Sequence, residues 1–235
     1  MTDRATLIAK LPKAELHLHI EGSFEPELMM QIAERNGIQT AFKTLEEAKA
    51  AYAFSNLQEF LDIYYQGMAV LLHKQDFYDL TWAYLERAAA DNVRHVEIFF
   101  DPQAHTERGV AFATVADGIL EALEDGETKL GITSHVIMSF LRHLSEDDGF
   151  ALLEESKPYH ARFIGVGLDS SEIGHPPSKF ARLLAKSCAC MLARKDRRNM
   201  CRKPSSTSAL TGSTMGIGPW KTKACCRFCG TRRPR

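Results

Sequence analysis

The first part of this chain lacks cysteine and long apolar runs. None of the first 187 residues is a cysteine, although six cysteines occur among the 235 residues. Any disulfide or cysteine-based metal site is therefore confined to residues 188–235. No apolar run reaches the roughly 18 residues that a membrane-spanning helix needs, and Met1-Thr2-Asp3-Arg4 leads into a mixed segment without a signal-peptide pattern. We therefore expect a cytoplasmic protein with no membrane partner.

Acidic residues are almost absent from the end of the chain. Residues 188–235 contain 12 Lys and Arg but one acid, Asp196, for a net charge of +11. Because the whole chain has 29 Lys and Arg and 30 Asp and Glu, residues 1–187 keep 17 basic and 29 acidic side chains and a net charge of −12. Histidine is also absent after Lys186, although the chain has nine. The sequence thus joins two segments of different composition, and we predict two units, 1–186 and 187–235.

The run Ala-Glu-Leu-His-Leu-His-Ile-Glu-Gly at residues 14–22 has the character of a β-strand that carries two histidines. Alternate side chains of a strand share a face, so His17 and His19 should point the same way. The apolar residues of the run should pack into the core: Leu16, Leu18 and Ile20. Two imidazoles on one rigid face can hold a metal ion, although a His-x-His pair alone is a weak signal.

Four β-rich segments, of which this run is the first, alternate with helical patterns and end in polar residues. The further strands are predicted at residues 93–100, 131–140 and 162–168. Helices are predicted at 26–37, 44–53, 57–73, 76–92, 110–124 and 146–156. This alternation indicates parallel βα units. We predict an α/β protein, the N-terminal half of a (β/α)8 TIM-type barrel, followed by a disordered tail over residues 187–235.

Polar residues follow the predicted strands at the edge where barrel enzymes place their site residues. They are Asp101, Asp169, Ser170 and Glu172. Substrate contact and helix capping are equally compatible with this placement. His95 and His135 fall within strands and are predicted to be packed or hydrogen-bonded, whereas the remaining central histidines fit surface or loop roles: His73, His105, His143 and His160.

Several of these segments resemble the adenosine/adenine deaminase family of metal-dependent aminohydrolases. The matching runs are Glu-Leu-His-Leu-His-Ile-Glu-Gly-Ser at 15–23, Glu-Ile-Phe-Phe-Asp-Pro-Gln at 97–103, Phe-Leu-Arg-His-Leu-Ser at 140–145 and Gly-Val-Gly-Leu-Asp-Ser-Ser-Glu at 165–172. The adenine deaminase branch is the more similar one, because adenosine deaminases typically carry Asp-Gly where this chain has Glu21-Gly22. A longer acid there would crowd the space of a ribose, which predicts a preference for the free base.

The resemblance implies a zinc ion held by three histidines and an aspartate, with His17 and His19 as two of the ligands. Zinc would lower the pKa of bound water from about 15.7 towards 7, and hydroxide would replace the amino group of a purine, giving hypoxanthine and ammonia from adenine in purine salvage. The resemblance further implies weak substrate contacts by Glu21, Gly22, Asp169 and Ser170. The later family motifs, which supply the third histidine and a general-acid glutamate, do not occur in these 235 residues. No catalytic group is therefore predicted in this chain.

The missing motifs reappear when the tail is read in another frame. Back-translation of residues 190–198, read one base early, gives His-Ala-Gly-Glu-Glu-Gly-Pro-Pro, and the same shift over residues 213–222 permits Ile-Asp-His-Gly-Asp-Arg-Ala-Leu-Glu-Asp. Both are family motifs, and they occur in the family's order. Met and Trp have a single codon each, so the back-translation has no choice of codon at these residues. We infer that residues from about 187 onward are an out-of-frame translation, so that the deaminase sequence is frameshifted and truncated.

Three other functions are open. An adenosine deaminase would share the metal site, and a non-catalytic remnant would fold in part without turnover, because two of four ligands and the general acid are missing. A nucleic-acid-binding protein would use the basic tail, in which Cys226-x-x-Cys229 could form half of a zinc knuckle. No second Cys-x-x-Cys pair occurs at zinc-finger spacing, so a small purine, rather than nucleic acid, is the expected partner. The oligomeric state is left open.

Overall fold

The computed structural model describes residues 3–53 and 57–192. The α-helices of this part are α1 (Arg4–Lys10), α2 (Pro26–Asn36), α3 (Leu45–Ala51), α4 (Leu57–Met68), α5 (Lys74–Ala90), α6 (Pro102–Thr106), α7 (Phe112–Leu130), α8 (Glu146–Glu155) and α9 (Ala181–Leu192). The strands are β1 (Lys13–His19), β2 (Val93–Phe100), β3 (Thr133–Leu141) and β4 (Phe163–Asp169), and short 3₁₀ turns cover Ile20–Ser23, Lys157–Tyr159 and Pro177–Phe180.

The four strands form one parallel sheet in the order β1-β2-β3-β4. Each strand is followed by helical segments before the next one begins, which confirms the predicted series of βα units and the α/β fold class. The carboxyl ends of all four strands consequently lie at one edge, where the residues after each strand come together. Strands β1 and β4 are the edge strands of this sheet, and β1 carries the histidine pair.

Local sequence explains where several helices begin and end. Pro26 occupies the first turn of α2, and Gly37 ends that helix with φ of 65°, a left-handed conformation that costs glycine little. Thr44 caps α3 by accepting a hydrogen bond from the Glu47 amide at 3.1 Å, as predicted. Ser145 forms a capping box with Asp148 at the start of α8.

The core lies between the sheet and its helices. In β2 the side chains of Val96, Ile98 and Phe100 are fully buried against the helices, whereas His95 and Phe99 on the opposite face are partly exposed. This alternation is expected of a strand that has one face covered by helices. The uncovered face therefore presents polar and aromatic side chains at the positions that line the inside of a barrel.

The predicted burial of Leu16 in β1 and the predicted end of helix α7 are wrong. Leu16 is 57% exposed instead of packed, because a bulge sets Leu16 and His17 against one residue of β2: Glu15 pairs with Val96 and Leu18 pairs with Ile98. Leu18 and Ile20 do pack into the core, as predicted. Helix α7 continues to Leu130, past the predicted end at residue 124.

Helices α1, α6 and α9 were not predicted from the sequence. Helix α9 continues to Leu192, past residue 186, the predicted end of the first unit. The remainder of the predicted tail, residues 193–235, lies outside the described residues. Within the described ranges, no helix combines the length and the apolar character that crossing a membrane requires.

Candidate metal centre

The two histidines of β1 point the same way, as the strand pattern predicts. Their Nε2 atoms are 3.2 Å apart. Both rings pack on Phe99 of the neighbouring strand β2, with ring centroids at 4.6 Å from His17 and 5.1 Å from His19. His17 belongs to the bulge, and both histidines lie on the uncovered face of the sheet, whereas Leu18 between them packs against the core.

Asp169, the last residue of β4, holds the ring of His19. Its Oδ2 lies 2.5 Å from His19 Nδ1, so this nitrogen carries the ring proton and donates a hydrogen bond to the carboxylate. Burial alone would raise the pKa of Asp169, but the hydrogen bond and charge of His19 and the Ser170 amide lower it below its usual range. The bond to Nδ1 leaves His19 Nε2 as the nitrogen that faces His17. A carboxylate behind a ligating histidine is the usual arrangement around protein-bound zinc.

Asp101, which follows β2, lies beside Asp169 at the same edge of the sheet. Burial, and then the charges of Glu21 and Asp169, raise the pKa of Asp101 well above its usual range. Tyr64 of α4 donates a hydrogen bond to Asp101 Oδ2 at 3.0 Å. The pKa values of the two carboxyls at this strand edge are thus shifted in opposite directions, up for Asp101 and down for Asp169.

Glu21 is buried in the 3₁₀ turn after β1. Its Oε1 accepts hydrogen bonds from the Asp101 amide at 2.9 Å and from His105 Nε2 at 3.3 Å. Arg108 donates to His105 Nδ1 at 2.9 Å, and because a guanidinium can only donate, the imidazole proton must be on Nε2. The expectation that His105 has a surface or loop role is wrong, since its side chain is fully buried. No sequence signal distinguishes this histidine from the others.

The other predicted contact residues surround the same edge. Gly22 lies against Tyr64, whose Cε2 would be 3.7 Å from an added Cβ. Ser170 adopts φ of 75°, rare for a residue with a side chain, and its hydroxyl lies 3.2 Å from Tyr65 Oη and 3.0 Å from His143 Nδ1. Glu172 instead turns outwards, 82% exposed, and accepts a hydrogen bond from Arg142 at 2.7 Å.

The donors at this edge fit a zinc ion. Zinc–imidazole bonds of about 2.0–2.1 Å place two ligands of a tetrahedron roughly 3.3 Å apart, close to the 3.2 Å between His17 Nε2 and His19 Nε2. His19, Asp101 and Asp169 also bring one ligand atom each within 4.8 Å of one another. Two buried carboxylate oxygens, Glu21 Oε2 and Asp101 Oδ1, have no hydrogen-bond partner among the described residues. The edge therefore offers histidines for a metal and unpaired acceptors beside them.

Comparison with known proteins finds relatives of this chain. An adenine deaminase of Wolinella succinogenes is 63% identical over 177 residues, which is 75% of this chain and 54% of that protein. The crystal structure of an adenine deaminase from Arthrobacter aurescens superposes with a TM-score of 0.73 at 52% identity, covering 76% of this chain and 54% of that one. A Burkholderia ambifaria amidohydrolase with bound Zn gives a TM-score of 0.68 at 26% identity, covering 82% of this chain and 53% of that one.

The chain spans about half the length of the curated relatives it matches. The model of the adenosine deaminase family matches residues 12–194, most of the chain and all four strands. This match includes the histidine pair and the residues that surround it. The chain therefore belongs to the adenosine deaminase family.

Proposed function

We propose that this chain is part of a zinc-dependent aminohydrolase of cytoplasmic purine salvage, which converts adenine to hypoxanthine and ammonia. The observation that carries this proposal is the paired Nε2 atoms of His17 and His19, 3.2 Å apart. Asp169 holds the proton of His19 on Nδ1. The adenine deaminases that share about 60% of its aligned residues support adenine as the substrate.

In this proposal His17 and His19 hold the zinc, and Asp169 positions one of them. Zinc, when bound, supplies the Lewis acidity that activates water near neutral pH. Phe99 packs under both imidazoles and limits their rotation. Ser170 and Gly22 border the same edge and are proposed to contact the purine.

Glu21 is proposed to favour the free base by fixing the local backbone. Its carboxylate is engaged with the Asp101 amide and His105. The Glu21 side chain is 1% exposed, so it acts by tying the end of β1 to the end of β2. A shorter aspartate would have to shift this connection to make the same bonds, which would widen the space next to Gly22.

We further propose that the 235 residues do not deaminate adenine by themselves. They contain no histidine after His175, so the third histidine ligand of the family is missing, together with its general-acid glutamate. Loss of general acid–base catalysis alone typically costs about 10²–10⁴ in rate. The out-of-frame origin proposed for residues 187–235 accounts for the loss.

A chimera tests the substrate. Residues 1–186 are fused to the complementary half of the Wolinella succinogenes adenine deaminase, and ammonia release is measured with adenine and with adenosine. We expect zinc-dependent release from adenine that exceeds release from adenosine. Replacing both His17 and His19 by Ala should remove zinc and activity, whereas His73→Asn, which removes an exposed imidazole and keeps a good helix cap, should change neither.

Preference of the chimera for adenosine would overturn the proposed substrate. Equal zinc content and activity in the His17→Ala/His19→Ala chimera would overturn the proposed ligands. Circular dichroism and a thermal melt of each protein establish that the compared chimeras are folded.

A further inference from the structure

A second group of metal-ligating side chains lies on the uncovered face of the sheet. His95 and Glu97 project from β2 and His135 projects from β3, and one ligand atom of each lies within 4.8 Å of the others. Glu97 Oε1 is 3.7 Å from His135 Nδ1 and 4.0 Å from His95 Nε2. Glu97 and His135 are register partners, so two of the three groups are held opposite each other by paired strands and not by loops.

This group is separate from the candidate zinc centre. His17 and His19 pack on Phe99, which lies two residues beyond Glu97 on the same strand and the same face. Successive residues on one face of a strand are about 6.6 Å apart. Phe99 therefore lies between the two groups, one layer of side chains from Glu97.

The hydrogen bonds of His95 leave its Nε2 as an acceptor that faces Glu97. Thr133, the register partner of His95, lies with its hydroxyl 2.8 Å from His95 Nδ1 and donates its single proton to the Arg94 carbonyl at 3.2 Å. The hydroxyl must therefore accept the proton of Nδ1. A histidine whose Nδ1–H is held by an oxygen and whose Nε2 is an acceptor has the arrangement that metal-ligating histidines adopt.

His135 points an unpaired nitrogen at the same carboxylate. Its Nδ1 is buried and has no hydrogen-bond partner among the described residues. The separation of 3.7 Å from Glu97 Oε1 is too long for a hydrogen bond. Buried polar atoms without partners are rare in proteins and call for an explanation, which a shared cation would provide.

We propose that His95, Glu97 and His135 form a second site for a divalent transition-metal ion such as Zn²⁺. Two imidazoles and one carboxylate suit zinc and its first-row neighbours. The side chains of His95, Glu97 and His135 are 28%, 29% and 42% exposed, so water can complete the coordination. The bound ion joins β2 to β3 and stabilises the folded state. The proposal does not depend on the deaminase function, because it uses none of the residues of that centre.

The test is a cobalt titration of the metal-free full-length chain. Co²⁺ replaces Zn²⁺ at such sites, and its visible absorption spectrum depends on the ligands that bind it. Binding to the cysteines of residues 188–235 would produce thiolate charge-transfer bands. The titration is made in the His17→Ala/His19→Ala variant, with and without a further Glu97→Gln or His135→Ala substitution. His73→Asn in the same background is the matched control.

We expect the His17→Ala/His19→Ala variant to bind one Co²⁺ per chain through nitrogen and oxygen ligands, with a rise in melting temperature. Adding Glu97→Gln or His135→Ala should weaken this binding at least tenfold, since even the loss of a supporting partner costs about 10–100-fold. His73→Asn should leave the affinity unchanged. No binding in the double variant, thiolate bands alone, or equal affinity after Glu97→Gln would each overturn the proposal. Glu97→Gln nearly preserves side-chain shape, and its metal-free melting curve separates a folding defect from a lost ligand.

Discussion

Single hydrogen bonds fix which ring nitrogen carries the proton in His19 of β1 and in His105 of α6. Asp169 fixes the proton of His19 on Nδ1, and Arg108 fixes that of His105 on Nε2. The Nε2 of His19 is thereby left facing His17, where we propose that it binds zinc, whereas His105 is turned into a donor to Glu21. The two histidines thus carry their ring protons on different nitrogens because their neighbours differ.

The carboxylate of Asp76, outside the candidate metal centre, accepts four hydrogen bonds. Asp76 is fully buried and accepts from the Leu72 and His73 amides, from Asn36 and from Arg35. Burial would raise the pKa of Asp76, but these hydrogen bonds outweigh it and lower the pKa. A carboxyl with a lowered pKa stabilises the folded state above its unfolded pKa of about 3.9, and this stabilisation is lost as the pH falls through the folded value.

We therefore expect Asp76→Asn to lower the free energy of unfolding by at least about 2 kcal/mol near neutral pH, because charged hydrogen bonds of a buried group are lost. The difference from the unmodified chain should shrink as the pH falls below about 4. Urea unfolding at a series of pH values measures both effects. Asp147→Asn, on an exposed part of α8, is the control and should change stability little. A difference that stays constant down to strongly acidic pH would contradict this account of Asp76.

Residue-level predictions succeed where a local pattern decides the outcome. The shared face of His17 and His19 follows from strand periodicity, and the Thr44 cap follows from its spacing to Glu47. The exposure of Leu16 depends on a bulge set by pairing with β2, and the burial of His105 depends on Glu21, 84 positions away in sequence. Such distant partners are not visible in the sequence around the residue.

The helices that cover the sheet approach each other through glycines. A Cβ added to Gly118 of α7 would lie 2.4 Å from the Lys74 carbonyl and 2.7 Å from Phe77 Cβ in α5. Neither atom can move without shifting α5. Gly118 therefore sets the distance between the two longest helices of the described chain.

Gly118→Ala should accordingly destabilise the chain by about 1–3 kcal/mol, the usual cost of forcing an extra group into a packed core. Chemical unfolding monitored by circular dichroism measures the loss. Gly165→Ala in β4 is the matched control, because no atom lies within 4 Å of the added Cβ, and it should be tolerated. Equal stability of the two variants would show that α5 and α7 can separate freely.

Element boundaries were harder to predict than element types. All four strands and their parallel order follow from the alternation of β-rich and helical segments. The predicted end of α7 relied on Asp125-Gly126 as a turn, but Gly126 lies inside the helix, where an added Cβ would be 2.7 Å from Leu85 Cδ1. Packing between helices thus retains a glycine at a position where local propensity favours a turn.

At the scale of the whole molecule, the four strands that match the family carry the candidate metal centre described above. The chain spans about half the length of its curated relatives. Its four strands bring His17, His19 and Asp169 to one edge. The remaining ligands of the family would have to come from other sequence, which we propose is encoded in the second reading frame of residues 190–222.

The coding DNA tests that origin of the tail. The nucleotides that encode residues 190–198 should encode His-Ala-Gly-Glu in the other reading frame. We expect the same frame to encode Asp-His-Gly in the nucleotides of residues 213–222, without a stop codon between the two motifs. Resequencing of the gene shows whether the shift is present in the DNA. Stop codons within that frame, or codons that do not spell the two motifs, would contradict the out-of-frame origin.

The most direct measurement is ammonia release from adenine by the zinc-loaded 235-residue chain, compared with its His17→Ala/His19→Ala variant. The account predicts no turnover above that of the variant, because the chain supplies two zinc-ligating histidines without the third histidine and the general acid. Turnover that the double substitution abolishes would contradict it, since the 235 residues would then contain a complete site.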